Sequence, residues 1–319
     1  MGLSILAIVL YHTPYEVTGS FLWNYLHGSA YWGVDVFLFL SGLGACHSLA
    51  SRGGRGYLAR RVRRLLPGLY LFMVPWGLLM WFSWGMTRWD LIGTLTLLGW
   101  WFGFTRQLNW YFSAVWAFFL LAVPVGALLR RCRRPAPVWA GLLALSLGLG
   151  LWCPMDYLMT AATRLPVFFT GMLFGELDRR GYAPGRAFYC LVYLLVPIGL
   201  ILSVLTFGVL GEQYGDSFGL WWYPNALIVP GLAVAAGEIG ARLRAFPWLV
   251  RAAGFIPALG ESAAEILMVH VGIYKYIRLF RTFTNLQWLL ISLICIILGR
   301  LYYRFVTSRI TARLEQRRA

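Results

Sequence analysis

Long apolar runs recur from one end of the chain to the other, and they constrain the fold more than any other feature. An apolar run of about 18 residues or more can cross the hydrocarbon core of a bilayer as a helix. Composition agrees, because 60% of the 319 residues are hydrophobic and only 13% are charged. A water-soluble domain of this composition would expose much of its apolar surface. The sequence therefore predicts an all-α polytopic membrane protein.

About ten transmembrane helices are predicted. The candidate spans are 1–14, 29–50, 68–86, 110–129, 138–153, 165–177, 188–209, 222–240, 255–275 and 288–306. A further apolar stretch, 91–104, is ambiguous. If it does not cross the membrane, all the arginine-rich segments fall on one side, as the positive-inside rule requires. We therefore predict that 91–104 is a re-entrant or surface-lying element.

The net charge of +16 is carried almost entirely by arginine. In a soluble protein this charge would suggest nucleic acid as a partner. Here most arginines lie in short segments between apolar runs, where they orient the chain and contact anionic lipid head groups. These segments are the predicted loops 51–67, 130–137, 178–187 and 241–252, together with the tail from Arg300. The sequence thus predicts membrane lipids as partners, no nucleic acid, and both termini on the cytoplasmic side.

The first candidate span is unusually short. A helix over residues 1–14 reaches only about 20 Å, whereas the hydrocarbon core is about 30 Å thick. No basic anchor precedes this helix, so we expect further residues before Met1. The alternative is that the helix sits partly in a cavity.

Ionisable groups inside apolar spans are costly and by default indicate function. Six fall in or at the ends of the candidate spans: His12, Asp35, Glu176, Glu238, Glu265 and His270. We expect Glu176 and Glu238 to be structural and to pair with adjacent arginines. His27, assigned to a loop, and His47, assigned to the membrane interface, are also interpreted as structural.

His12 is the strongest candidate for chemistry. The ordinary pKa of histidine is about 6.5, so the side chain can accept and return a proton at physiological pH. A carboxylate could orient the imidazole or stabilise its protonated form. Asp35 and Glu265 are the two candidates, and the sequence leaves the choice open.

The stretch "RRVRRLLPG" at 60–68 is a dense basic cluster. Arg61 and Arg64 are three residues apart and share one face of a helix. Guanidinium groups suit phosphates through charge-assisted, often bidentate hydrogen bonds. The cluster indicates either a site for a phosphorylated ligand or an anchor that binds lipid phosphates.

The five cysteines show neither metal-type spacing nor a paired framework. They lie mostly within or at the ends of apolar runs, and we interpret them as small hydrophobic residues in helix packing. They are Cys46, Cys132, Cys153, Cys190 and Cys295.

Six stretches together resemble membrane acyltransferase family 3, whose members O-acylate bacterial cell-surface glycans. In order they are "ILAIVLYH", "YWGVDVFLFLSG", "RRVRRLLPGLY", "NWYFSAVWAFFLLAVP", "LPVFFTGMLFG" and "AAEILMVHVGIY". The resemblance implies one integral-membrane acyltransferase domain over 1–319 in the bacterial cytoplasmic membrane. It also implies an acyl-CoA donor, acetyl-CoA being the first choice, a glycan acceptor on the far side, and no metal.

The resemblance assigns roles by position. Its catalytic positions are His12, Asp35, Glu265 and His270, and its donor-binding positions are Arg61, Arg64, Ser41, Trp110 and Tyr111. The aspartate motif also includes Gly33, Phe37 and Gly42. Whether His12 acts as a general base or as a nucleophile stays open, as do the acceptor, the length of the acyl group and the oligomeric state.

This chain departs from the family pattern at three positions. Met1 stands where the family has an arginine, and Ala263 and Leu267 replace a serine and a tyrosine near His270. A second hypothesis is a non-enzymatic transporter or exporter of a small molecule or lipid-linked sugar, because transporters also use intramembrane charges. The sequence shows no convincing internal repeat, which favours the enzyme.

Overall fold

The computed structural model describes residues 1–13, 20–104, 106–152, 156–206, 220–246, 248, 254–280 and 282–316, and these ranges contain helices and no strand. This confirms the all-α class. In chain order the helices are α1 (Gly2–His12), α2 (Phe21–Ser29), α3 (Trp32–Trp84), α4 (Arg88–Thr96), α5 (Trp110–Arg131), α6 (Pro135–Trp152), α7 (Asp156–Ala162), α8 (Leu165–Arg179), α9 (Arg186–Val204), α10 (Asn225–Leu243), α11 (Phe255–Glu261), α12 (Ala263–Ile277), α13 (Asn285–Tyr302) and α14 (Ser308–Gln316). A 3₁₀ turn, Gly99–Phe102, follows α4, and a π-helical turn, Tyr303–Thr307, joins α13 to α14.

Seven helical segments among the described residues are long and apolar enough to cross a membrane, or eight if the pair α11 and α12, bent by 73°, is one span. Each of the ten predicted spans coincides with a helix or part of one. The count is lower because α3 contains two predicted spans and α1 is too short to qualify. The stretch 91–104 forms the end of α4 and the 3₁₀ turn, and α4 has only 9 residues, too few to cross the core.

The prediction of a loop at 51–67 is wrong, because this segment continues α3. Gly53 is the only interior residue of α3 with non-helical backbone angles, at φ 66°. The following segment, 55–66, is rich in arginine and leucine, which are favourable in helices. Arg61 and Arg64 therefore do lie on one face of a helix, as their spacing predicts.

One compact unit comprises residues 1–34, 58–113 and 253–319. Within it α13 packs along α12, and α1 packs against α11 and α12. Glycines allow α1 to approach its neighbours closely. A Cβ atom on Gly2 would overlap the carbonyl of Ile256, and a Cβ atom on Gly33 would overlap the carbonyl of Ser4. This packing brings the end of α1, with His12, beside α12.

The other unit comprises residues 35–57 and 114–252, in which α8 packs against α6 and α10, and α9 packs against α10. The sequence "GMLFG" places Gly171 and Gly175 one turn apart on α8. Both face the backbone of α3, where Cβ atoms would overlap the carbonyls of Phe39 and Leu43. Small residues at this spacing are typical of closely packed membrane helices.

We expect Gly171→Ala to destabilise the protein by about 1–3 kcal/mol, because the added methyl group forces α8 away from α3. The measurement is the thermal unfolding midpoint of purified protein in detergent. Gly141→Ala on α6 is the matched control, because no atom lies within 4 Å of the added Cβ. Equal midpoints for the two variants would contradict the close α3–α8 packing.

Candidate active site

His12 and His270 meet at the contact between α1 and α12. His270 Nε2 lies 3.2 Å from His12 Nδ1, and the two ring centroids are 5.1 Å apart. His270 is completely buried, whereas His12 is half-buried. Aromatic rings pack edge-on against both imidazoles, Tyr11 against His12 and Tyr274 against His270. The structure thus joins two predicted site residues that are 258 positions apart.

Backbone carbonyls determine which ring nitrogens carry protons. His270 Nδ1 lies 2.8 Å from the carbonyl oxygen of Ile266, and His12 Nδ1 lies 2.9 Å from that of Ile8. A carbonyl oxygen can only accept, so both Nδ1 atoms must donate. The single hydrogen on His12 Nδ1 is then shared between the Ile8 carbonyl and His270 Nε2, and His12 Nε2 keeps its lone pair. The geometry leaves His12 Nε2 as the nitrogen that can take a proton from a substrate or attack it.

Glu265 lies five residues before His270 on α12, which is about 7.5 Å along the helix axis. Its carboxylate is beside the Thr307 hydroxyl and within electrostatic range of Arg64. The π-helical turn brings Thr307 here, and α3 brings Arg64. The His12 ring forms its side-chain hydrogen bond with His270 rather than with Glu265. The expectation that Glu265 orients His12 is therefore not supported by a contact. Its electrostatic interaction with Arg64 links one of the predicted donor arginines to α12.

Asp35 lies in the second unit, where it is completely buried. Asn225 Nδ2 donates to Asp35 Oδ2 at 2.7 Å, and Arg164 Nε lies 3.6 Å from Asp35 Oδ1. Arg164 also donates to the carbonyl of Thr160 and stacks on the Trp222 ring. This arrangement is a buried ion pair that ties three segments of one unit, and a role of Asp35 beside His12 stays a prediction.

The predicted donor-binding aromatics begin α5. Asn109 caps this helix by accepting the backbone N–H of Tyr111 at 2.7 Å. The Tyr111 hydroxyl lies within electrostatic range of Arg61, and the Trp110 ring lies 5.9 Å from that of Trp100. Arg61 and these aromatics thus belong to one unit with the histidine pair. Ser41 is half-buried on α3 in the other unit.

Sequence reasoning missed two cations close to His12. Arg278 Nη2 donates to the backbone carbonyl of His12 at 2.7 Å. Lys275 Nζ donates to the carbonyl of Gln107, and its charge also acts on the His12 ring. Lys275 follows His270 by five residues on α12, and Arg278 follows it by eight residues, directly after the end of α12. The sequence feature that could have identified these two cations is their position in a stretch otherwise poor in basic residues.

The remaining ionisable candidates have structural partners. Arg179 and Arg180 hold Glu176, as predicted, at 2.7 Å each. Glu238 instead accepts from the Tyr193 hydroxyl, which corrects the expected arginine pairing. His27 lies in α2 rather than in a loop, and His47 pairs with Asp178 at 3.0 Å.

The cysteines within the described residues, Cys46, Cys132, Cys190 and Cys295, are free, and Cys153 lies outside those residues. Across the described ranges, no group of three or more potential metal ligands comes together.

These features define a polytopic membrane protein with a histidine pair suited to moving a proton. Comparison with known proteins gives the class. The model of a family described as "Acyltransferase domain" matches residues 2–303, and the chain therefore belongs to membrane acyltransferase family 3. None of the curated proteins and none of the solved structures gives a significant match. The family supports an enzyme that transfers acyl groups to hydroxyls, and not the transporter alternative.

His270 is predicted to be a positioning residue that accepts from His12 Nδ1–H. We expect His270→Leu to lower kcat by at least tenfold with little change in the KM for acyl donor, because the protonated His12 ring loses one acceptor for its Nδ1–H. His270→Gln should restore part of kcat, since a side-chain amide oxygen can accept the same hydrogen bond. Both are measured by acyl transfer in membranes. Equal kcat values for the two variants would contradict the positioning role and show that the His270 side chain only fills space.

Proposed function

We propose that the protein transfers an acyl group, most simply acetyl, from cytoplasmic acyl-CoA to a hydroxyl of an extracytoplasmic glycan. Acyl transfer itself follows from family membership. The observation that supports a histidine mechanism is the His12–His270 contact, because it leaves a lone pair on Nε2 of the half-buried His12. Family membership suggests the bacterial cytoplasmic membrane, and the arginine distribution supports placing both termini in the cytoplasm.

In the first step, His12 Nε2 takes the proton of the acceptor hydroxyl while the hydroxyl oxygen attacks the thioester carbonyl carbon. The imidazolium is stabilised by the hydrogen bond from His12 Nδ1–H to His270 Nε2. The C–S bond then breaks, and the proton passes from Nε2 to the CoA thiolate. In the alternative mechanism Nε2 attacks the thioester itself and holds the acyl group until the hydroxyl displaces it. Acyl label that stays on quenched protein distinguishes this second mechanism from the first.

The donor arrives along the face of α3 that carries Arg61 and Arg64. Arg64 lies near Glu265, and Glu265 is about 7.5 Å from His270 along α12. An extended donor with its phosphates at the arginines can therefore present its thioester to His12. Such positioning of thioester, hydroxyl and base accounts for most of the expected rate gain.

We expect His12→Ala to abolish acyl transfer and to leave the protein folded, because it removes the only group assigned to proton transfer. The measurement is transfer of labelled acetyl from acetyl-CoA to cell-envelope glycans in isolated membranes. Expression and thermal unfolding report folding. His47→Ala is the matched control, since this histidine is exposed and paired with Asp178. Transfer by His12→Ala at the wild-type rate would exclude His12 from catalysis.

We expect Arg61→Gln and Arg64→Gln each to raise the KM for acetyl-CoA about tenfold, with a smaller effect on kcat. A charge-assisted hydrogen bond contributes about 1.5–3 kcal/mol, and 1.4 kcal/mol corresponds to a factor of ten. S-acetylpantetheine lacks the nucleotide phosphates, so its KM should not change in either variant.

Arg63→Gln is the matched control, because this arginine lies about 100° from Arg64 and about 160° from Arg61 around the axis of α3. Equal KM changes for acetyl-CoA and S-acetylpantetheine would show that the arginines do not bind phosphate.

A further inference from the structure

Two open apolar grooves flank α13. The α12 groove lies between α12 and α13, is lined by Ile277 and Ile294 among others, and has a volume of about 370 Å³. The α1 groove lies between α1 and α13, is lined by Leu10 and Leu289 among others, and has a volume of about 460 Å³. Both belong to the unit that contains the histidine pair. Grooves with this lining on a membrane-spanning helix accommodate hydrocarbon chains.

Arg278 lies at the head of both grooves. It directly follows Ile277, which lines the α12 groove. Its Nη2 donates to the carbonyl of His12, whose neighbour Thr13 lines the α1 groove. Its guanidinium stacks 5.2 Å above the ring of Trp288, a residue of α13 between the two grooves. One cation thus stands where two hydrocarbon chains would converge.

The positive charge of Arg278 is available to pair with an anion. Arg278 is exposed, and no carboxylate of the described residues forms an ion pair with it. Lys275, one turn earlier on α12, is a second cation. Its Nζ donates to the backbone carbonyl of Gln107, which carries no charge. A guanidinium has five N–H donors in a planar fork that matches phosphate oxygens. The bond to His12 uses only one of them.

We propose that this surface binds an anionic diacyl phospholipid, with one acyl chain in each groove and its phosphate on Arg278. A single-chain lipid would leave one apolar groove empty, and a zwitterionic lipid would bring its own cation next to Arg278. A diacyl lipid with net negative charge matches both grooves and the cation between them. The site depends on the membrane setting alone, so it stands or falls separately from the proposed acyl transfer.

The test uses delipidated full-length protein in neutral detergent and measures lipid binding by native mass spectrometry. The probes are dioleoylphosphatidylglycerol, dioleoylphosphatidylcholine and monooleoyl lysophosphatidylglycerol. We expect one phosphatidylglycerol to bind at least tenfold more tightly than either of the other lipids. Selectivity below tenfold over phosphatidylcholine, or equal binding of the single-chain lipid, would overturn the proposal.

Two kinds of variant test the head-group position and the grooves independently. Arg278→Gln should remove the preference for phosphatidylglycerol over phosphatidylcholine. Leu289→Trp should weaken the binding of both lipids, because the larger side chain fills the α1 groove. Arg309→Gln is the control for the first, because Arg309 is also exposed and stacked on an aromatic ring, that of Phe305. Leu298→Trp is the control for the second, because it is exposed on α13 outside both grooves.

A preference for phosphatidylglycerol that persists in Arg278→Gln, with thermal unfolding like that of the wild type, would place the lipid elsewhere. The same conclusion would follow if each variant bound lipid like its control. Acyl-transfer activity does not enter either comparison, so these outcomes are independent of the proposed reaction.

Discussion

The site depends on one short chain of hydrogen bonds: carbonyl of Ile266, His270, His12 and carbonyl of Ile8. Each imidazole is fixed by a carbonyl one turn earlier in its own helix. Because both carbonyls demand protonated Nδ1 atoms, the direction of each hydrogen bond is determined, and His12 Nδ1–H is shared between the Ile8 carbonyl and His270 Nε2. The chain closes only if α1 lies directly against α12. The glycine contacts of α1 and the packing of α1 on α11 and α12 are therefore requirements of the site as well as of the fold.

Two sets of charged side chains differ in their contacts. Asp35 and Glu176 are buried with arginine partners, which come from another segment for Asp35 and from the end of the same helix for Glu176. Removing one partner of such a pair leaves an uncompensated buried charge, which is strongly destabilising. Lys275 and Arg278 instead bind backbone carbonyls. Neither of these two cations pairs with a carboxylate of the described residues, so their net charge stays available to an anionic ligand.

The sequence predicted the class of fold and the positions of the apolar helices, because these follow from local hydrophobicity and length. It also identified His12 and His270 individually. It could not predict their contact, which depends on tertiary packing across 258 positions. It failed at 51–67 because arginine was interpreted as a sign of a loop, although arginine is a good helix former. The roles of Arg164 and Arg278 were not predicted, because the partners of an isolated arginine depend on the neighbouring helices.

A histidine partner suits this location better than the carboxylate that the sequence suggested. An ionised carboxylate beside His12 would have to be buried, and burial of a charge is costly unless it is paired and hydrogen-bonded. In the observed geometry, His12 Nδ1–H points at His270 Nε2, so a proton on Nε2 would face another donor. His270 therefore stays neutral while this contact exists. The pair buries no charge before reaction, and charge develops on His12 only when Nε2 takes the acceptor proton.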